Sequence, residues 1–290
     1  MPRRRAPEPA GLPRIEAVAE IVGAASALAR ELVQKPLDTH TKSDDSPVTA
    51  IDLAVDRLLH GELTRLFPAA AWLSEETADR PERHGATWLW VVDPIDGTRS
   101  LVAGRPEFCV SVALVRAPCA GAPRGEPVQG VIDNPMTAER FTAVRGHGAF
   151  DADGRRLQAA SAASRGPAAP LRLLLSRSDH ANGLWDGLLT PAHAWRTMGS
   201  LAYKMGLVAT GAWDGHATPT ARSEWDAAAG LLVLEESGGR ASDLRGCPLS
   251  FNQAVPVYAG MVVARADAFD AVLALGIAVA AGAGRRPAQG

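Results

Sequence analysis

At 290 residues the chain is long enough for one large core or two small ones. Its 47 % hydrophobic content and its balance of 30 basic against 32 acidic residues describe an ordinary globular protein and exclude the broad basic field of a nucleic-acid polymer binder. Cys109, Cys119 and Cys247 lack any CxxC spacing, which excludes a zinc knuckle or a disulfide framework and fits a reducing, cytoplasmic setting.

The opening MPRRRAPEPAGLPR has no apolar stretch behind its charge, so it reads as a flexible tail over residues 1–14 rather than a secretory leader. From Ile15 the positions Ile15, Val18, Val22, Ala25, Ala29 and Leu32 keep helical spacing up to Pro36. A polar loop, HTKSDDSPVT, leads to a second amphipathic helix marked by Ile51, Val55, Leu58, Leu59, Leu63 and Leu66. Strands are expected at Trp88–Val92, Phe108–Arg116, Val128–Asp133 and Arg140–Val144, with Asp151-Ala152-Asp153-Gly154 as a hairpin turn. Residues 15–160 thus form an α+β half. The Ala-, Ser-, Gly- and Pro-rich segment near 159–170 joins it to residues 161–284, where strands and helices alternate. There the expected elements are a strand at Leu171–Leu175, a helix at Ser200–Thr210 and a strand at Trp213–Ala217. They are followed by a helix at Glu224–Ser237, a strand at Met261–Ala264 and a helix at Ala268–Ala281, with residues 285–290 as a tail. The fold class is α/β with an α+β first half. No 18-residue apolar run is long enough to cross a bilayer.

One stretch does not fit a plain strand end. In VVDPIDGT the apolar run closes on two acids three apart, Asp93 and Asp96, with Pro94 and Gly97 between and after them. Turn formation explains the proline and glycine, and capping explains the acids of Thr49-Ala50-Ile51-Asp52 and Ser223-Glu224-Trp225-Asp226. The alternative is that the acids meet. Carboxylates gathered in one crevice repel by roughly 4 kcal/mol per pair at 4 Å and an effective dielectric near 20. Such a cluster persists only if protonated or filled by cations. Oxygen ligands beside a helix start that cradles an anion point to magnesium and a phosphate group. Other phosphate-handling signatures are missing: Pro94 stands where a D-x-D phosphatase has its first acid, and neither a GxxxxGK[ST] loop nor a GxSxG elbow occurs.

Taken together, Asp93–Thr98, Trp225-Asp226-Ala227-Ala228-Ala229-Gly230 and Ser74-Glu75-Glu76 resemble, in order, the motifs of the magnesium-dependent, lithium-sensitive inositol monophosphatase superfamily. The resemblance spans roughly residues 15–284 and implies a layered αβαβα sugar-phosphatase fold. It further implies two or three Mg2+ ions held by Glu75, Asp93, the Ile95 carbonyl, Asp96 and Asp226. Catalysis would fall to Thr98, oriented by Asp52, together with Glu75. Substrate would be bound by Gly97, Thr98, Gly199, Ser200, Lys204 and Asp226. No covalent phosphoenzyme is implied. A homodimer is the assembly common among such proteins, and contact of Arg3-Arg4-Arg5 with an anionic membrane surface is left open.

The substrate expected is a small phosphate ester. Lys42-Ser43-Asp44-Asp45-Ser46-Pro47-Val48-Thr49 and Leu73-Ser74-Glu75-Glu76 are similar to the branch that removes the 3′-phosphate of adenosine 3′,5′-bisphosphate, giving AMP. Thr218-Pro219-Thr220 also lacks the acid that inositol phosphatases place there. Arg99-Ser100-Leu101 and Arg105-Pro106-Glu107-Phe108 look closer to inositol- or histidinol-phosphate phosphatases. A binding protein on the same scaffold is the third reading. His180, His193 and His216 are expected on the surface, and Trp72, Trp88 and Trp90 in the core.

Overall fold

The computed structural model describes residues 11–35, 39–41, 47–119, 122–159 and 169–283. Arg3-Arg4-Arg5, Lys42 with the centre of its loop, and most of the Ala/Ser/Gly/Pro-rich joining segment lie outside these residues.

Helix α1 (Ile15–Leu32) buries Ile15, Val18, Ala19, Val22, Ala25 and Ala29, the face its spacing predicts. Short strands β1 (Thr39–Thr41) and β2 (Pro47–Thr49) pair antiparallel and lead into α2 (Ala50–Leu66), whose Ile51, Val55, Leu59 and Leu63 are buried. A six-stranded sheet follows, built in chain order from β3 (Ala70–Ser74), β4 (Trp88–Asp96), β5 (Cys109–Arg116), β6 (Glu126–Asp133), β7 (Arg140–Val144) and β8 (Gly148–Asp151). All its pairs are antiparallel except β3 with β4. A five-residue helix, α3 (Thr98–Val102), opens directly after β4.

The second sheet contains β9 (Leu171–Ser176), β10 (His193–Met198), β11 (Gly215–Thr218), β13 (Gly239–Asp243) and β15 (Met261–Arg265), in the order β10-β9-β11-β15-β13. Strands β12 (Arg222–Ser223) and β14 (Val257–Tyr258) form a separate ribbon. Helix α4 (Arg177–Ala181) follows β9, α5 (Leu201–Ala209) follows β10, α6 (Glu224–Glu236) follows β12, and α7 (Phe269–Ala283) ends the described chain.

Three apolar clusters fix the layers. Helices α1 and α2 pack on one face of the six-stranded sheet. Helices α5 and α6 fill the space between the two sheets, and α7 covers the outer face of the second. The order is α, β, α, β, α, as the resemblance implies. Because α6 is the middle layer it is buried almost all round, and Ala229 comes so close to Gly130 that a Cβ there would lie 3.1 Å from the Ala229 carbonyl oxygen.

The expected strand at Trp88–Val92 is longer than its apolar run: β4 continues through the acids to Asp96. Asp93 pairs with Ser111 and Asp96 with Cys109, so three steps along β4 match two along β5. Pro94 and Ile95 therefore sit in a β-bulge, a position that tolerates proline's missing N–H. His216 departs from expectation. It is fully buried because β11 lies between β9 and β15 under α7, and its Nδ1 donates to the Leu174 carbonyl at 2.7 Å. Of the three tryptophans, Trp90 is fully buried, while Trp72 and Trp88 pack half-buried on the α1–α2 core. No helix among the described residues is long and apolar enough to cross a membrane.

Candidate metal centre and phosphate site

Three elements deliver the four acids. Glu75 follows the last residue of β3, Asp93 and Asp96 flank the bulge of β4, and Asp226 is in the first turn of α6. Glu75, Asp93 and Asp226 each offer a carboxylate oxygen, and these oxygens all lie within 4.8 Å of one another. Asp93 is buried, and its Oδ1 accepts the Ile95 amide at 3.0 Å, while its Oδ2 is buried with no hydrogen-bond partner. An ionised oxygen left so is costly unless a cation meets it. The residues present therefore fit a hard, oxygen-loving divalent ion such as magnesium.

The electrostatics agree. Burial, then the charges of Glu75, Asp96 and Asp226, push the Asp93 carboxyl well above the usual carboxylate range. Burial, then Asp96 and Glu75, raise Asp226 to about 7, with Arg222 pulling the other way. Without a cation, protons are what this cluster must take up.

Capping and cluster formation, posed as alternatives by the sequence, coexist. Asp226 Oδ2 accepts the Ser223 amide at 2.9 Å in a capping box, which leaves its other oxygen for the cluster. Asp52 Oδ2 likewise accepts from the Thr49 amide at 2.8 Å and the Thr49 hydroxyl at 2.6 Å. Its Oδ1 faces Thr98, whose hydroxyl lies 2.9 Å away and 3.1 Å from the Ile95 carbonyl oxygen. Asp52, Thr98 and Ile95 thus meet, all three buried.

Asp96 stands apart from the other three acids. Its Oδ2 accepts the Ser200 hydroxyl at 2.7 Å and the Ala202 amide at 2.6 Å, at the start of α5. Burial raises its carboxyl, and Ser200, Lys204 and the Ala202 amide oppose that rise. Ser200 holds the left-handed φ of 55°, unusual outside glycine, and caps α5 by accepting the Tyr203 amide at 3.0 Å. Gly199 is tight as well, since a Cβ there would run into Ser100 Oγ. At the turn after β4 Gly97 has φ 106°, and a Cβ would lie 2.9 Å from the Glu107 carbonyl oxygen. Gly97 and Thr98 open α3, where first-turn amides have no carbonyl partner within the helix.

Lys204 is buried, with its Nζ 3.3 Å from the Gly199 carbonyl oxygen. Burial and the charge of Arg222 lower its ammonium to about 8, against the pull of Asp96 and Asp179. Several neighbours carry no local signal that the motifs include. Asp179 accepts the hydroxyls of Thr218 at 2.6 Å and Thr220 at 2.7 Å, so a carboxylate reaches the segment that lacks one in sequence. Glu107 pairs with Arg177 at 3.2 Å and Arg196 at 3.3 Å, and Arg177 also donates to Ser100. Only the Ser176-x-x-Asp179 cap, in which Ser176 accepts the Asp179 amide, was visible as a pattern.

Layered sheets with a carboxylate nest at a strand–helix junction, beside a threonine hydroxyl held by an aspartate, define a metal-dependent phosphomonoesterase. The chain belongs to the inositol monophosphatase family, whose model matches residues 13–274. It is 33 % identical to a 3′(2′),5′-bisphosphate nucleotidase CysQ of Aggregatibacter actinomycetemcomitans, over 82 % of this chain and 87 % of that one. It is 34 % identical to an inositol-1-monophosphatase of Rhizobium meliloti, over 79 % and 84 %. Among solved structures, an IMPase of Thermotoga maritima shares the fold with a TM-score of 0.77 at 24 % identity, covering 92 % of this chain and 97 % of that one.

Proposed function

We propose that this phosphatase uses Mg2+ to hydrolyse the 3′-phosphate of adenosine 3′,5′-bisphosphate, giving AMP and phosphate. The observation that carries the metal chemistry is the meeting of Glu75, Asp93 and Asp226 around the unpartnered Oδ2 of Asp93. These three, with the Ile95 carbonyl and Asp96, would hold the ions. When bound, magnesium activates water and neutralises phosphate oxygens as a Lewis acid.

The chain's own groups do the rest. Asp52, already accepting two bonds from Thr49 on one oxygen, accepts the hydrogen bond of the Thr98 hydroxyl on the other. That leaves the Thr98 oxygen as an acceptor to orient an attacking water, whose proton would pass to Glu75 while the released 3′-oxygen takes a proton from solvent. The Gly97 and Thr98 amides would receive the non-bridging phosphate oxygens and hold them in line for displacement. A bisphosphate is favoured by the cations near the acids: Lys204 and Arg222 both act electrostatically on Asp96, and Arg177 acts on Lys204. They suit a second phosphate. The likeness to a bisphosphate nucleotidase adds weight.

A second reading keeps the chemistry and changes the ester to inositol 1-phosphate or histidinol phosphate. The likeness to an inositol-1-monophosphatase, as strong as that to the nucleotidase, supports it. The test is phosphate release, measured with malachite green, from a panel of esters with Mg2+, with and without Li+. Turnover of the bisphosphate, nearly abolished in Asp96→Asn and reduced by Li+, is expected. Comparable turnover of inositol 1-phosphate with none of the nucleotide would overturn the substrate. No turnover of any ester would favour a binding protein.

A further inference from the structure

Two of the three clustered acids sit on segments that are far apart in sequence and share no hydrogen-bonded strand pair. Glu75 lies in the turn after β3, and Asp226 starts α6. Something must hold these segments at one separation, because the acids repel each other. On its inner side the Glu75 turn is pinned to α2: Asp56 accepts the Ser74 hydroxyl at 2.5 Å and the Thr77 hydroxyl at 2.9 Å. That fixes the turn to the first sheet's helices, but not to α6.

The connection to α6 runs through Arg83, in the 3-10 turn Pro81–Gly85. Arg83 is only 2 % exposed, an unusual place for a guanidinium. Its Nε and Nη2 donate to Asp79 Oδ1 and Oδ2 at 2.7 and 2.9 Å, four residues beyond Glu75. The rest of the fork faces the other way. Nη1 donates to Asn252 Oδ1 at 2.5 Å and Nη2 to the Gln253 carbonyl at 2.7 Å. The same two residues turn their amides onto Glu224: Asn252 N–H to Oε2 at 2.8 Å, Gln253 N–H to Oε1 at 2.9 Å. Asn252 has φ 62°, a left-handed turn that lets successive amides converge on one carboxylate. Glu224 is fully buried and is the first residue of α6, two before Asp226. A planar guanidinium with five fixed donors suits such a two-sided brace; an ammonium does not.

We propose that Arg83 is a positioning residue for metal binding, bracing the Glu75 turn against the Asn252–Glu224 start of α6 so that Glu75 and Asp226 reach one cation. The proposal rests on the metal centre described above. Groups one step out from metal ligands alter affinity by about 10- to 100-fold, and this brace acts through the backbone that carries them.

The test titrates the full chain with Mn2+ alone and reads free ion by electron paramagnetic resonance, beside the Tm of each variant. Arg83→Met is expected to weaken Mn2+ binding about 10-fold or more. Asn252→Gly keeps the left-handed backbone and removes one arm of the brace, so it should weaken binding in the same direction if Arg83→Met does not fold. Arg83→Lys should fall between Arg83→Met and wild type. The control is Arg265→Met, which breaks another buried arginine network, with Asp214 and Asp267, at the end of β15 away from Met261 and its partner Thr218. It should lower Tm and leave the Mn2+ affinity alone. The Mg2+ concentration for half-maximal phosphate release should rise in the brace variants, with kcat at saturating Mg2+ within about threefold of wild type. Wild-type affinity in Arg83→Met, or equal loss in Arg265→Met, would overturn the proposal. A wild-type chain that binds no Mn2+ would instead overturn the metal centre on which it depends.

Discussion

Replacing Asp226 by Asn should stabilise the metal-free protein while abolishing its response to magnesium. The carboxyl is raised from 3.8 to about 7, by burial first and then by Asp96 and Glu75. At pH below about 4 the folded and unfolded chains both hold this proton, and the group has no effect on stability. Between about 4 and 7 the unfolded chain releases the proton that the folded chain keeps, so stability is lost as pH rises, at about 1.36 kcal/mol per unit. The loss reaches about 4 kcal/mol at pH 7 and is constant above it. An amide at this position removes the loss and keeps an oxygen to accept the Ser223 amide. Unfolding entropy of about 2.1 cal/mol/K per residue over 290 residues makes 4 kcal/mol worth about 7 °C in Tm. Scanning calorimetry in chelator at pH 7.5 should therefore place Asp226→Asn above wild type by up to about 7 °C, with the gap closing toward pH 4.5. Magnesium should then raise the wild-type Tm and leave the variant unchanged. A metal-free variant less stable than wild type at pH 7.5, or one that gains the wild-type shift with magnesium, would refute the reasoning.

The same carboxyl predicts that Mg2+ affinity, measured by calorimetric titration, weakens steadily as pH falls below about 7, because protons compete for Asp226. Thr98→Val breaks the bond to Asp52 and should cut phosphate release about 100-fold or more at nearly unchanged Tm. Gly97→Ala combines φ 106° with a Cβ 2.9 Å from the Glu107 carbonyl, and urea unfolding should show a loss of about 1–3 kcal/mol along with activity.

Helices α1 and α2 were legible because each writes one apolar face at constant spacing: α1 from Ile15 to Leu32 and α2 from Ala50 to Leu66 begin and end close to where that spacing does. Strand β10 was not, since His193, Ala194, Trp195, Arg196 and Thr197 are partly or largely exposed at a sheet edge and carry no alternation. Strands β3 (AAWLS) and β13 (GRASD) are poor in the β-branched and aromatic residues that mark a strand. At the site, motif residues were readable where chemistry and backbone demand coincide, as in Asp93, Gly97 and Asp226. Lys204 was named through the resemblance alone, and its burial beside the Gly199 carbonyl had no sequence signal. Arg83, Asp179 and Glu107 were missed for a different reason. Their partners, Asn252, Thr218, Arg177 and Arg196, lie 39 to 169 positions away, and no local pattern encodes such a pairing.

The bulge in β4 has a consequence for which changes the site can survive. In an unbroken strand, residues three apart point to opposite faces, so an aspartate at 93 and another at 96 would be separated by the thickness of the sheet. The extra residue held at Pro94-Ile95 advances the alternation by one, and both carboxyls come to act on each other. Deleting either residue would leave the acids two apart, still on one face of a plain strand, but would remove the bulged backbone whose Ile95 amide meets Asp93 and whose carbonyl lies 3.1 Å from the Thr98 hydroxyl. Substitutions at Pro94 or Ile95 leave the count intact. The site is thus written partly in spacing, and a change of length by one there is more damaging than a change of letter.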